Sequence, residues 1–238
     1  MRRLSPEEGR QGGVMADGGT RVLVLRGGWE GHEPVKTSDK VIAYLDGSGF
    51  DVTISDSLSS YADQTLMESI DLVVQTWTMG EIAGSELDGL CRAIRSGTGL
   101  AGWHGGLCDA FRAATAYQFM TGGQWVAHPG GKIDYDVHIL PEHAEHPVLA
   151  GIKDFSMHSE QYYLHVDPSN LVLATTTFAA GEEAPWIEGC VMPVVWTRSY
   201  GEGRVFYSSL GHDAADFDVP EVVEIAARGC RWAARHQR

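Results

Sequence analysis

The sequence is short of basic side chains, and no long apolar run interrupts its polar segments. It has 18 Lys and Arg residues against 32 Asp and Glu residues, a formal net charge of −14. A surface this acidic repels phosphate backbones and anionic lipid headgroups, so we expect neither nucleic acid nor a membrane as a partner. No stretch reaches the roughly 18 apolar residues that a membrane span needs.

Cysteine is also scarce. Cys91, Cys108, Cys190 and Cys230 are far apart and form no C-x-x-C pair. Disulfides and a cysteine zinc site are therefore not expected, and a reducing cytoplasm is the natural compartment. Residues 1–20 are polar and glycine-rich and lack the continuous apolar region of a secretory signal. We expect this segment to be a flexible leader.

The rest of the chain, residues 21–238, is predicted to form a single domain, because 43% of the sequence is hydrophobic and can bury a large core. Apolar runs at 21–27, 50–57 and 71–77 predict strands, and apolar periodicity at 34–48 and 84–96 predicts helices. Strands that alternate with helices indicate an α/β fold, a three-layer sandwich with a mainly parallel central sheet.

The second half of the chain is richer in predicted strands. These span residues 132–140, 171–179, 192–200 and 203–211, and the last two are joined by the glycine-bearing turn "YGEG" as a hairpin. A closing helix is predicted over residues 219–235.

The segment "GLAGWHGG", residues 99–106, predicts a strand that ends in a sharp corner. Small glycines flank the corner, as they flank an exposed nucleophile in many α/β enzymes, but the corner residue is His104 where Ser or Cys would be expected. His104 could simply hydrogen-bond across a tight turn. The surrounding glycines favour a role in a site, because they expose the side chain.

Ligands of parallel sheets bind at the carboxyl ends of the strands, and several reactive side chains are predicted there. His212 and Asp213 follow the last strand, although Asp213 or Asp216 can alternatively cap the next helix. The predicted site residues are Trp29, His32, Trp103, His104, His128, Glu160, Tyr162, His212 and Asp213.

Four motifs together resemble the ThuA-like, or trehalose-utilisation, family. "GLAGWHGG", "TGGQWVAHPGG", "SEQYY" and "PVVWTRSYGEGRVFYSSLGHD" occur in the family's order, and the similarity covers roughly residues 21–235. The resemblance implies a flavodoxin-like sandwich of the class I glutamine amidotransferase-like kind. "SEQYY" departs from the family's acidic pair, since Ser159 stands in the first place. The matching positions are His104, His128, Glu160, His212 and Asp213, with His32 matching less closely.

The resemblance also implies a role in the use of a disaccharide such as trehalose, or of a keto derivative. We expect His104, Glu160 and His212 to be catalytic through acid–base chemistry. Alternatively, His104, His128 and His212 can be ligands of a divalent metal such as zinc. The residues expected to bind the sugar are Trp29, His32, Trp103, His128, Tyr162 and Asp213.

A non-catalytic sugar-binding or regulatory module on the same fold is the competing hypothesis. Binding modules work with tryptophans and amides, whereas this chain brings histidines from several separate loops, which favours an enzyme. A homo-oligomer is compatible with the sequence.

The histidine at the corner predicts that the protein does not hydrolyse glutamine, since an amidotransferase needs a cysteine thiolate there. Cys108 lies four residues further, one turn into the next helix, where we expect it to pack. Ammonia release from glutamine measures the activity. Release by the wild type that disappears in Cys108→Ala would contradict the prediction.

Overall fold

Parallel strands form one half of a ten-stranded sheet, and antiparallel strands form the other. A computed structural model describes residues 2–3, 19–45 and 49–235. The strands of this part are β1 (Arg2–Arg3), β2 (Thr20–Gly28), β3 (Phe50–Ser55), β4 (Leu72–Thr78), β5 (Gly99–Trp103), β6 (Gly123–Ala127), β7 (Lys132–Ile139), β8 (Phe155–Glu160), β9 (Tyr163–Val166), β10 (Leu171–Thr177), β11 (Val191–Tyr200) and β12 (Gly203–Ser208). The helices are α1 (Pro34–Leu45), α2 (Gln64–Ser69), α3 (Gly84–Arg95), α4 (Gly105–Cys108), α5 (Thr115–Thr121) and α6 (Pro220–Ala233).

The strand order of the large sheet is β1-β3-β2-β4-β5-β12-β11-β10-β7-β8. Neighbours run parallel from β1 to β12 and antiparallel from β12 to β8. Strands β6 and β9 form a separate antiparallel pair. The predicted α/β fold with a mainly parallel central sheet is therefore confirmed, and so is the hairpin of β11 and β12.

The two faces of the sheet bury different halves of the apolar side chains. Along β2, Val22 and Val24 belong to the core under α1 and α6, whereas Leu23 and Leu25 belong to the core under α2, α3 and α5. This follows from the period of two along a strand, because successive side chains point to opposite faces. A strand buried on both faces reads as a continuous apolar run, as the segment 21–27 does.

Several predicted elements end earlier than the sequence suggested. β3 ends at Ser55, because Ser57 accepts a hydrogen bond from the Ser59 amide and starts a 3₁₀ turn at Leu58–Ala62. β12 ends at Ser208, so the following residues leave the sheet. The short helices α2 and α5 and the strands β6, β8 and β9 were not predicted.

Parts of the predicted segments lie outside the described residues. These are residues 1 and 4–18 of the leader, residues 46–48 of the first helix, and residues 236–238. Within the leader, Arg2–Arg3 pairs in parallel with Thr53 and Ile54 of β3. No helix in the described part of the chain has both the length and the apolar character to cross a bilayer.

Gly89 permits α3 to contact the 3₁₀ turn Leu58–Ala62. A Cβ at Gly89 would lie 1.9 Å from the Tyr61 carbonyl oxygen. We expect Gly89→Ala to lower the free energy of unfolding by about 1–3 kcal/mol, because the helix must move away from the turn. Gly84 begins the same helix in open space, so Gly84→Ala is the matched control. Urea unfolding measures both, and equal stability of the two variants would contradict the expectation.

Candidate functional site

Loops from both halves of the sheet bring one carboxylate and three imidazoles together. His32 ends a 3₁₀ turn after β2, His104 follows β5, and His212 follows β12. Glu160 ends β8 in the antiparallel half. One ligand atom from each of these four residues lies within 4.8 Å of the others. We call this set the His/Glu cluster.

Glu160 is the centre of the cluster. Its Oε2 lies 3.1 Å from His104 Nε2, 3.2 Å from His212 Nδ1 and 4.0 Å from His32 Nε2. Its other oxygen, Oε1, lies 3.8 Å from His128 Nε2. Four imidazoles on four loops therefore face a single carboxylate.

The corner holds His104 in an uncommon backbone conformation, with φ 46° and ψ −139°. Few residues with a Cβ adopt a positive φ, and such residues persist only where the surroundings hold them. The His104 amide donates to the Ser208 carbonyl at 2.7 Å, and the Tyr207 hydroxyl donates to the His104 carbonyl at 3.2 Å. Residues of β12 therefore hydrogen-bond both the amide and the carbonyl of the corner residue.

Glycine follows His104 because another side chain has no room there. A Cβ at Gly105 would lie 2.4 Å from His32 Cε1, and one at Gly106 would lie 2.8 Å from the Thr76 Cα atom. The glycines of "GLAGWHGG" thus permit the close approach of a second histidine.

The surroundings of His104 define which ring nitrogen carries its proton. Nδ1 lies 2.8 Å from the Ser209 carbonyl oxygen, which only accepts hydrogen bonds, so Nδ1 is the N–H donor. In the neutral ring, Nε2 then presents a lone pair to Glu160 Oε2, also an acceptor when ionised. Two acceptors that face each other need a cation between them, either a proton or a metal ion.

The protonation states suit metal ligands. Burial lowers the pKa of His32 to about 3 and also lowers the pKa of His104, so both rings are neutral at pH 7. Burial alone would raise the pKa of Glu160, but the close approach of the His104 and His212 imidazoles outweighs burial and holds that pKa well below its usual range. Neutral imidazoles and an ionised carboxylate are the forms that bind a divalent metal.

Unpaired nitrogen atoms point to the same fit. His212 Nδ1 is buried and has no hydrogen-bond partner, since its approach to Glu160 lacks hydrogen-bond geometry. Buried polar atoms normally have a partner. His32, His104, Glu160 and His212 thus form a donor set of the type that zinc takes. Of the three histidines predicted as metal ligands, His128 lies outside this four-residue set.

Neighbouring polar side chains orient the cluster. The Asp216 Oδ2 atom accepts hydrogen bonds from the Ser159 hydroxyl at 2.6 Å and from the His212 amide at 2.8 Å. His32 Nδ1 lies 2.9 Å from the Thr78 hydroxyl. The sequence suggested Asp216 only as a helix cap and gave no signal for Thr78, because both roles depend on contacts between distant segments.

The predicted sugar-binding residues lie in different surroundings. Trp29 is 48% exposed and contacts His32 edge-to-face, and His128 is 36% exposed beside Glu160. Tyr162 is buried, and the centroid of its ring lies 3.8 Å from that of His104.

Trp103 is buried against Phe217, which leaves no ring face for a sugar. Asp213 pairs with Lys132 and accepts the amides of residues 215 and 216.

Fold and site together define an α/β protein with helices on both faces of a large central sheet and a His/Glu cluster where β5 ends at His104. The family model described as "ThuA: Trehalose utilisation" matches residues 21–233. The chain belongs to this family, and the resemblance noted in the sequence is confirmed.

Solved structures give the same fold. A ThuA-like protein from Bacteroides uniformis superposes with a TM-score of 0.74 at 17% identity, over 94% of this chain and 95% of that one. One from Parabacteroides merdae gives 0.72 at 17% identity, over 93% of each chain. A β-galactosidase from Bacillus circulans gives 0.57 at 13% identity, over 90% of this chain and 31% of that one. At these identities the likeness shows the fold alone. No curated protein matches the chain in sequence.

Neutral His32 predicts that the metal-stripped protein loses stability in mild acid. The pKa of this ring is about 3 in the folded protein against 6.5 for the ordinary side chain, so the unfolded chain binds more protons between these values. The contribution of His32 to the free energy of unfolding is therefore fully present above pH 6.5 and is lost as the pH falls. This loss amounts to about 1–2 kcal/mol between pH 7 and pH 5. His32→Gln should reduce this slope in urea unfolding with a chelator present.

The matched control is His158→Gln, because His158 is an exposed histidine that pairs with Asp134 on the surface. This variant should keep the slope of the wild type. A wild-type stability that does not change from pH 7 to pH 5 would show that His32 is not held neutral.

Proposed function

We propose that the protein is an enzyme of carbohydrate utilisation whose catalytic centre is the His/Glu cluster. The observation that carries the proposal is the 3.1 Å contact between His104 Nε2 and Glu160 Oε2, two acceptors that require a proton or a metal between them. A module that only binds sugar has no need to converge four imidazoles on one carboxylate. The family described as trehalose utilisation supports a carbohydrate as the substrate.

The same residues suit a divalent metal, with zinc as the first candidate. His32, His104, Glu160 and His212 would hold it, and Trp29 and His128 border the side from which a sugar would approach. A bound metal would supply Lewis-acid polarisation of a substrate oxygen. The unpaired Nδ1 of His212 supports this fit.

The side chains themselves supply acid–base chemistry. His128 is 36% exposed, and its Nε2 lies 3.8 Å from Glu160 Oε1, so this ring can exchange protons with solvent and with the centre. Glu160 is ionised and can accept a hydrogen bond from a hydroxyl of a bound sugar. Proton transfer beside the carbonyl or hydroxyl of a disaccharide or its keto derivative is the reaction class that this set serves.

The proposed compartment is the cytoplasm. All four cysteines are free in the structure, and unpaired thiols are typical of a reducing environment.

Removal of one ligand tests the metal centre without any assumption about the reaction. We expect purified protein to bind one zinc per chain, measured by elemental analysis after dialysis. His104→Ala should lose most of the metal and keep its fold, because the large core forms without the metal. At a hundredfold excess over the dissociation constant, zinc should stabilise the wild type by about 2.7 kcal/mol and leave His104→Ala unchanged.

His138→Ala is the matched control, because His138 is a half-exposed histidine that pairs with Asp154 away from the cluster. It should bind zinc like the wild type. Zinc affinity should fall only well below pH 6.5, because burial holds the pKa values of His32 and His104 below that of a free imidazole. Equal metal content in both variants would refute the metal centre.

Turnover decides between an enzyme and a binding module. Trehalose, other disaccharides and their keto derivatives are incubated with the metal-loaded and the chelated protein, and products are measured by mass spectrometry. Glu160→Gln should reduce turnover at least a hundredfold, the lower end of what a positioned acid–base group contributes. Full activity after chelation leaves acid–base chemistry alone, and sugar binding without turnover refutes the enzyme.

A further inference from the structure

A second feature at the same edge of the sheet lies beside the His/Glu cluster and does not belong to it. It is a cavity of about 370 Å³ at the carboxyl ends of β2, β3 and β4. This volume lies at the lower end of the range for small-molecule sites. The side chains and glycines that line it include Arg26, Gly27, Gly28, Glu30, Asp56 and Trp77.

The position of the cavity is one where α/β sheets bind ligands. Strand β2 has β3 on one side and β4 on the other, although the chain runs from β2 to β3 and then to β4. The chain leaves β2 toward β3 on one side and leaves β4 toward β5 on the other, and such a reversal opens a crevice at the ends of β2 and β4.

Arg26 brings hydrogen-bond donors to the cavity. Its side chain is only 4% exposed, and Nη1 makes all of its hydrogen bonds among the described residues, to Val35, Ser38 and Asp39. The remaining guanidinium nitrogens have no protein partner there and are not sealed from solvent. Burial of an arginine fixes its position, so these donors are ready for a ligand.

The charges of the lining indicate what kind of ligand fits. Asp39 neutralises Arg26 at 2.6 Å, and Glu30 and Asp56 add two further carboxylates. An anionic ligand would be repelled. A neutral polyhydroxylated ligand suits the three charged groups of the lining, because its hydroxyls donate to Glu30 and Asp56 and accept from Arg26. Trp77 adds an aromatic surface of the kind that packs against a sugar ring.

The cavity adjoins the cluster through two short stretches of chain. Glu30 lines the cavity and precedes His32 by two residues, which is about 7 Å along the backbone. Trp77 lines the cavity, and the next residue, Thr78, contacts His32 Nδ1. The two places are thus adjacent, as two sugar units of one molecule are.

We infer that this cavity binds the second sugar unit of a neutral disaccharide whose first unit lies at the His/Glu cluster. The inference rests on the proposed function for the first unit only. Arg26, Glu30 and Asp56 supply hydrogen bonds that favour a neutral polyhydroxylated unit over an anionic one. Binding energy from this unit, remote from the reacting atoms, would distinguish a disaccharide from a monosaccharide.

Calorimetric titration of the full-length protein with trehalose and with glucose tests the inference. Glu30 and Asp56 are exposed, so Glu30→Ala and Asp56→Ala should fold like the wild type, which thermal unfolding checks. Each variant should weaken trehalose binding about tenfold, because a hydrogen bond to a charged group is lost. Glucose binding should change less, so the ratio of trehalose to glucose affinity falls.

Glu81→Ala is the matched control, an exposed carboxylate beyond the end of β4 that does not line the cavity. It should keep both affinities. The inference is overturned if trehalose affinity is unchanged in both cavity variants, if both sugars weaken equally, or if the wild type does not bind trehalose at tens of millimolar.

Failure of the proposed function gives a different result. Metal content depends on Glu160 and His104, which belong to the cluster, and not on Glu30 or Asp56, which line the cavity. An unchanged affinity ratio in the cavity variants of an active, metal-loaded protein overturns the cavity alone. A lowered ratio in a protein that has neither metal nor turnover supports the cavity and refutes the catalytic centre.

Discussion

The Ser209 carbonyl accepts the only N–H hydrogen of a neutral His104 ring, and this one hydrogen bond determines the chemistry of the site. It leaves the lone pair of Nε2 facing the Glu160 carboxylate at 3.1 Å. Burial lowers the pKa of His104, so the ring does not take up a second proton that could lie between these two acceptors. The positive φ of His104 and the glycines after it are the backbone conditions for this arrangement.

The two halves of the sheet contribute different chemistry. The parallel half supplies the imidazoles of His32, His104 and His212 from strand ends that meet at one edge, as parallel strands must. The antiparallel half supplies the carboxylate, because β8 ends at Glu160. The cluster therefore forms only when the parallel and the antiparallel halves of the sheet are both folded and joined.

The sequence predicts the parallel half well for a physical reason. Strands buried on both faces are continuous apolar runs, and helices with one apolar face have a clear period. The edge strand β8 is harder to predict, because its pattern "FSMHSE" is short and mostly polar. The three histidines were predicted from their positions after strands. Their convergence on Glu160 depends on how far β8 lies from β12 in space, which no local pattern encodes.

Trp103 shows where the sequence argument was too coarse. It stands next to the corner, which suggested a sugar-binding ring, yet its side chain lies in the same core as that of Ala101, two residues earlier. The alternation along β5 directs both toward α6, because residues two apart share a face. For a residue in a strand, the face of the sheet to which its side chain points is therefore a better guide to a role in the site than its distance from the site along the sequence.

Asp216 joins the carboxylate and an imidazole through one shared anchor. Ser159, the residue before Glu160, donates to the same oxygen of Asp216 as the His212 amide. A small bend of the sheet that carried β8 away from β12 would pull on both segments at once. Because both segments are hydrogen-bonded to the same Asp216 oxygen, the distance from Glu160 to His212 depends less on the shape of the sheet than the distance between β8 and β12 does.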